Sequence, residues 1–304
     1  MDKLNNLLVI GGTGFIGYHI IKSAKKKGFR ITSISLNKPK KIRYLKKIKY
    51  IKADISNFRS LKKKMKTNYD FVVNAGGYGA HPDFGKKGNK LIKSHFNGLI
   101  NILRILDLKK VKKFVQIGSS AEYGNINSPL KESAVCKPNT PYAVAKLLCT
   151  NILQELYLKS NFPVTILRFF QVYGPHQDDN RVVPFLINKC IKDKKFSTTK
   201  GNQLCDFCYI DDAIDAIFKS LNKKKSNGEI INIGSGSPIK IKKLIKKIVK
   251  LAGKGRPEIG ILKYKKGTNM KNFASIYKAK KKLGWQPNTK LHEGFIKTIN
   301  YFKL

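Results

Sequence analysis

Three side chains could together move a proton and hold a reacting oxygen: Ser119, Tyr142 and Lys146. Tyr142 and Lys146 are spaced i and i+4, so on a helix they share one face and an ammonium can lie beside a phenol. A phenol titrates ordinarily near pKa 10, and a neighbouring cation favours its ionised form. Such a phenol can exchange a proton with an alcohol or ketone while a hydride moves at the carbon. A serine hydroxyl delivered by a neighbouring strand end, in Gly118-Ser119-Ser120-Ala121-Glu122-Tyr123-Gly124, can hold the reacting oxygen. Tyr-x-x-x-Lys is frequent by chance, and it gains weight here because it follows the serine-bearing strand end in a chain that opens with a glycine-rich turn.

Hydride chemistry needs a carrier, and the first residues supply a seat for one. Leu7 to Ile10 reads as a strand running into Gly11-Gly12-Thr13-Gly14-Phe15-Ile16-Gly17 and then a helix. Glycines at this junction let backbone N–H groups approach a pyrophosphate at the positive end of the helix. The expected dinucleotide contacts there are Gly11, Gly14, Phe15, Ile16 and Gly17. The second strand ends at Ser35-Leu36-Asn37-Lys38, and no Asp or Glu occurs between Ile31 and Ala53. A carboxylate there would repel a 2′-phosphate, whereas Ser35 and Lys38 could bind one, so NADP is favoured and NAD is the alternative. Asp54 and Ile55 suit the adenine edge, Ala75-Gly76 lets the dinucleotide lie close to the backbone, and Tyr142 and Lys146 complete the cofactor contacts, Lys146 with ribose hydroxyls in reach.

These residues must be carried by strands and helices in alternation. Candidate strands are Leu7 to Ile10, Ile31 to Leu36, Tyr50 to Lys52, Phe71 to Asn74, Phe114 to Ile117 and Val164 to Phe169. Between them, residues 15 to 27 and Asn89 to Leu108 show helical apolar spacing, the latter through Leu91, Ile92, Leu99, Ile102, Leu103 and Leu106. The pattern predicts an α/β fold, a doubly wound parallel sheet of Rossmann type with a smaller mixed C-terminal part. A division at 1–170 for dinucleotide and 171–304 mainly for substrate is expected, with segments near 205–235 returning to the first part. Helices are expected near Val183 to Ile191 and Asp211 to Leu221.

With 304 residues, 41% of them hydrophobic, the chain can bury a substantial core. No apolar run approaches the roughly 18 residues that cross a bilayer, and no secretory leader is read at the start, so a cytoplasmic protein without a membrane partner is expected. Five cysteines, an odd number, suit a reducing compartment, and Cys205-x-x-Cys208 reads as coincidence. The formal charge of +44 invites a polyanion reading. Its residues are spread from Lys3 to Lys303, nearly all lysine, at solvent-facing positions such as Lys22, Lys25, Lys26 and Lys27, which reads as compositional bias. Salt-sensitive, nonspecific nucleic-acid binding is expected, and no specific nucleic-acid partner.

The chain resembles the extended short-chain dehydrogenase/reductases of the NAD-dependent epimerase/dehydratase group. The resemblance runs through Gly11 to Gly17, Ser119 to Gly124, Tyr142 to Lys146, Leu167 to Pro175, Asp206 to Asp212 and Asn232 to Gly236, and Trp285 with Gly284 and Pro287 is similar to the group's closing segment. It implies that Ser119, with Ser120 as second choice, is the catalytic serine. It also implies a nucleoside-diphosphate sugar as substrate and, through helices at Asn89 to Leu108 and around Tyr142, a homodimer. Four departures matter. Dehydratases carry an acidic pair where Ser120 and Ala121 stand, with Glu122 one place late; Gln171 replaces an asparagine and can still bind phosphate or sugar; Cys205 replaces a diphosphate-clamping arginine, leaving Arg181 or Lys265 to compensate; and His95 stands where asparagine is common, read here as a structural histidine. Hydride transfer at C4 follows, a 4-ketoreductase slightly ahead of a 4-epimerase. The rival is a noncatalytic scaffold binding polyanions.

Overall fold

The computed structural model describes residues 4–77, 82–265 and 267–303. The first half runs β1 (Asn6–Ile10), α1 (Phe15–Lys26), β2 (Arg30–Ser35), β3 (Lys49–Lys52), α2 (Phe58–Lys64), β4 (Phe71–Asn74), α3 (Lys86–Ile105), β5 (Lys113–Ser119), α4 (Pro141–Ser160) and β6 (Val164–Phe169). The second half continues with β7 (Gln171–Tyr173), α5 (Val182–Ile191), β8 (Lys195–Thr198), β9 (Leu204–Cys205), β10 (Phe207–Tyr209) and α6 (Ile210–Asn222). It closes with β11 (Glu229–Ile233), β12 (Ile239–Lys240), α7 (Ile241–Ala252), β13 (Arg256–Ile259), β14 (Lys271–Asn272), α8 (Tyr277–Leu283) and α9 (Leu291–Lys303).

Seven strands form one parallel sheet in the order β11-β6-β5-β4-β1-β2-β3. Side chains alternate across a strand, and β1 shows why its run must be wholly apolar. Leu7 and Val9 enter one core with Ile20 and Ile21 of α1 and Ile217 of α6, while Leu8 and Ile10 enter the other with Leu99 and Ile102 of α3 and Leu153 of α4. The sheet is therefore covered on both faces, as a parallel sheet requires. The order reverses between β1 and β4, the place where doubly wound sheets open a crevice at their carboxyl ends.

All six expected strands are present, Phe71–Asn74 and Val164–Phe169 with the expected ends and the other four with ends displaced by at most two residues. The long helix begins three residues earlier than expected and ends three earlier. Gly85, at φ 124°, makes the entry turn, and Leu106 leaves the helix in extended conformation to bury its side chain. The strand β5 continues past Ile117 to Ser119, which brings Ser119 to the crevice mouth. β11, beside β6, was not anticipated as a strand. Helix α4 starts with the Thr140 hydroxyl accepting from the Ala143 amide at 3.2 Å, with Pro141 in the first turn, where its missing N–H costs nothing.

Beyond β6 the chain builds the parallel pair β7 and β10, the three-stranded β12-β9-β14 and the pair β13 and β8, packed with α5, α7 and α9. Trp285 is fully buried here, its indole N–H donating to the Asp212 carbonyl at 3.0 Å. Among the described residues no helix is long and apolar enough to cross a membrane.

Candidate active site

Two contiguous cavities lie along the carboxyl ends of the sheet. The first, about 840 Å³, is lined by Gly11, Thr13 and Gly14, by Ser35 to Asn37 after β2, by Asp54 to Ser56 after β3, and by Lys86, Lys90, Lys93 and Ser94 of α3. The second, about 470 Å³, is lined by Phe15, Ile16 and Gly17, by Ser119 to Ala121, by His95, Tyr142 and Lys146, and by Gln171, Gln177, Asp178, Arg181 and Asn272. Gly11, Gly14, Ala75, Gly76 and Gly77 form the wall common to both.

The glycines of the first turn serve different ends. Gly11 has φ +77°, and a side chain there would meet the Ala75 carbonyl at 2.6 Å; one at Gly17 would meet the Gly11 carbonyl at 2.1 Å. Gly14 has an ordinary φ of −76°, and a Cβ would meet only the Gly11 carbonyl, at 3.3 Å. Backbone conformation does not demand glycine at 14, and among the described residues a Cβ there asks only the Gly11 carbonyl to give by a few tenths of an ångström. The space above it belongs to the cleft, and the following first turn of α1 holds no acidic residue and no side-chain cap. First-turn amides have no acceptor within their helix and favour an anion. A pyrophosphate therefore fits at Gly14 to Gly17.

The adenosine side is set by hydrogen bonds between elements. The Ser35 hydroxyl accepts from the Thr13 amide at 3.2 Å. Asn101 donates to the Ile55 carbonyl at 2.9 Å, and Gly98 leaves room for the Ile55 side chain. The Asp54 carboxylate accepts from both the amide and the hydroxyl of Ser56. Asn74 donates to Gln116 at 2.9 Å and accepts from the Gly76 amide at 3.1 Å, fixing the bend after β4. Asn37 lines this cavity, whereas Lys38 is exposed and is not among the lining residues.

Ser119, Tyr142 and Lys146 converge on the second cavity. Lys146, only 5% exposed, donates to the Ile117 carbonyl at 2.9 Å, and its ammonium lies 5.8 Å from the Tyr142 ring centroid. Tyr142 meets His95 edge to face at 5.7 Å; the bare Cα of Gly77 makes room for that imidazole, since a Cβ would stand 2.0 Å from it. The Ser119 hydroxyl accepts from the Ala121 amide at 3.1 Å, which leaves its proton to donate. The Ser120 hydroxyl accepts from the Asn272 side-chain amide at 3.4 Å, and the Asn272 Oδ1 is buried without a partner among the described residues.

Glu122 is withdrawn from this chemistry. It is fully buried, one carboxylate oxygen accepting from the Ser119 amide and the other from Thr150 and the Arg168 Nε, each at 2.8 Å. Glu122 holds the guanidinium of Arg168 charged, its pKa pushed up, and that cation stacks 4.6 Å from the Tyr123 ring. Burial pushes the Tyr123 phenol up to about 12.

Gln171 and Arg181 both line the second cavity, Arg181 from the N-cap of α5. Lys265 is exposed and not among the lining residues. Cys205 lies on β9 and does not line it either; both it and Cys208 are free thiols whose pKa burial pushes up. Asp206 accepts from the Ser235, Gly236 and Ala274 amides and so ties β10 to the segments after β11 and β14. Behind the loop after β7, His19 contacts the Pro175 carbonyl at 2.9 Å and the His176 ring contacts the Tyr301 hydroxyl at 3.1 Å. Burial pushes both imidazoles down to about 4. Gln177, Asp178 and Asn272 escaped the sequence reading because they stand far along the chain from the residues they join in the cleft. Asn272, in a two-residue strand, carried no recognisable signal.

Residues 7–234 match the model of the NAD dependent epimerase/dehydratase family. The chain is 29% identical over 311 residues to a UDP-glucuronate 4-epimerase of Thermodesulfobacterium geofontis, covering 97% of this chain and 95% of that protein. It is 26% identical over 314 residues to the dTDP-D-glucose 4,6-dehydratase of Homo sapiens, covering 98% and 89%. A crystal structure of a mutant UDP-glucuronic acid 4-epimerase from Bacillus cereus, in complex with UDP-4-deoxy-4-fluoro-glucuronic acid and NAD, superposes with a TM-score of 0.88 at 28% identity, covering 98% of this chain and 99% of that one.

Proposed function

Because the chain belongs to the NAD dependent epimerase/dehydratase family, enzymes of the extended short-chain dehydrogenase/reductase type, we propose that it is a 4-epimerase of a nucleoside-diphosphate sugar using NAD. The observation that carries this reading is the convergence of Ser119, Tyr142 and Lys146 on a cavity that shares its wall with the glycine turn, while Glu122 is spent on Arg168. Gly11 to Gly17 would hold the pyrophosphate of the dinucleotide, Asp54 and Ile55 its adenine end, and Ala75 and Gly76 its middle. When bound, the dinucleotide supplies hydride acceptance and return at the sugar carbon.

The chain's own residues do the rest. Tyr142, acting as phenolate, takes the C4 hydroxyl proton at its oxygen as hydride leaves the carbon, and the resulting phenol gives that proton back when hydride returns. Lys146, fixed by the Ile117 carbonyl, places its amino group beside that ring, and Ser119 donates to the C4 oxygen. Gln171, Arg181 and Asn272 would hold the diphosphate and sugar. Neither Ser120 nor Ala121 can act as the acid that dehydration needs, and both carboxylate oxygens of Glu122 are occupied.

A second reading, a 4-ketoreductase using NADP, is favoured by the acid-free end of β2 at Ser35 to Asn37, which would not repel a 2′-phosphate. Lys38 gives it no support, being outside the cleft lining. Incubation with UDP-glucose or UDP-glucuronate and NAD, followed by chromatography of the sugar nucleotides, separates the two. The epimerase yields a mixture of C4 epimers with no net change in nicotinamide absorbance. Stoichiometric oxidation of reduced nicotinamide with a 4-keto sugar nucleotide would overturn it in favour of the reductase, and a product lighter by one water would overturn both. A second copy of the chain would dock on the flank of α3 and α4, where Leu148 and Leu158 are exposed. The five unpaired cysteines suit the cytoplasm.

A further inference from the structure

Arg43 stands in the short turn Lys41–Arg43 after β2, outside the cleft, yet it is only 3% exposed. Its guanidinium reaches three places. One nitrogen donates to the Thr13 carbonyl at 3.5 Å, Nε donates to the His176 carbonyl at 3.1 Å, and Nη2 donates to that same carbonyl and lies 3.0 Å from the Asp178 carboxylate. Thr13 lines the first cavity and Asp178 the second. One arginine, of the seven in the chain, thus bridges the phosphate-binding turn and the loop that walls the other cavity.

What Arg43 holds at each end has consequences inside the cleft. The Thr13 carbonyl and the Gly14 amide share one rigid peptide plane; its N–H donates to the Gly11 carbonyl at 3.0 Å and its oxygen faces Arg43, so the two contacts together orient that plane and the glycine turn built on it. The Thr13 amide is held separately by Ser35. At the other end, His176 adopts φ +65°, unusual for a residue with a side chain, and its ring contacts the Tyr301 hydroxyl and lies tilted at 4.4 Å from the Tyr18 ring. With its carbonyl on Arg43 and its ring on Tyr301, His176 anchors the stretch that presents Gln177, Asp178 and Arg181 to the cavity. A planar fork can serve several acceptors at fixed angles, which an ammonium cannot.

We propose that Arg43 is a positioning residue that couples the glycine turn to the loop Gly174 to Arg181 through the Asp178 carboxylate, so that a dinucleotide seated on the turn holds Gln177 and Arg181 ready for the nucleoside diphosphate. The proposal rests on the glycine turn being the dinucleotide seat. Hydrogen–deuterium exchange with and without NAD tests it in the full-length protein. In the wild type, NAD slows exchange at both 11–17 and 174–181, the latter by at least about 5-fold, the low end of ordinary coupling between sites. In Arg43→Met, protection at 11–17 remains and protection at 174–181 is lost. A buried arginine that merely filled space would lower the melting temperature and leave the NAD-dependent protection of both segments in place, and that result overturns the proposal. Wild-type protection at 11–17 alone also overturns it, whereas no protection at either segment overturns the seat itself. Asp178→Asn, at a half-exposed position, keeps the fold while weakening the grip, and it is expected to reduce protection at 174–181; unchanged protection there counts against the coupling.

Discussion

At Gly14 a methyl group would meet one protein atom at 3.3 Å, while at Gly17 it would press into the Gly11 carbonyl at 2.1 Å. Gly14→Ala should therefore leave stability within about 1 kcal/mol of wild type and weaken NAD binding by at least about 10-fold, because the added methyl occupies the space over the turn. Gly17→Ala should cost about 1–3 kcal/mol by overpacking. Calorimetry of unfolding and of NAD binding checks both. The spacing of glycines 11, 14 and 17 was legible in the chain, but which of them serves a ligand and which serves packing was not, because that depends on backbone brought in by β4. Glu122 makes the same point: one place late for an acid, it could not be read as the partner of Arg168, 46 residues away. Glu122→Gln should destabilise by about 3–5 kcal/mol, the usual consequence of leaving a buried charge without its partner. Loss of activity at unchanged stability would mean that Glu122 is catalytic after all.

The loop after β7 is locked onto α1 by His19 and onto α9 by His176, and both imidazoles are held neutral by burial, pushed from 6.5 down to about 4. Between those values the unfolded chain binds protons that the folded one refuses, so stability is full above pH 6.5 and is lost as pH falls towards 4. Urea midpoints measured across that window should fall with acidification, and His176→Gln should flatten part of the slope; an equal slope in the variant would show that other groups drive it. The six strands and the long helices of the first half were readable from their apolar runs and stripes, while the short α2, which buries only Leu61, was not. The short strands β9, β12 and β14 were not, because two residues carry no period and their pairing is set by contacts as distant as Asp206 with Ala274.

Across the whole molecule, the charge of +44 acts as a field. Lys86, Lys90 and Lys93 line the first cavity, so the cleft shares in it. Added salt should raise the melting temperature by screening self-repulsion and lower kcat/KM for an anionic sugar nucleotide by weakening its attraction. Stopped-flow and thermal scans over a salt series check both; a kcat/KM indifferent to salt would show that the charge plays no part in substrate capture. The family was readable from the glycine turn and the Tyr142–Lys146 pair, while the choice between epimerase and reductase is set by loops whose packing no local pattern reveals.

Everything turns on the phenol of Tyr142 exchanging the sugar's proton. Turnover of a UDP-hexose by Tyr142→Phe, a change that removes one oxygen from a half-buried ring, should fall about 10²–10⁴-fold, with NAD affinity and melting temperature close to wild type. A variant that interconverts the C4 epimers at the wild-type rate would contradict the account.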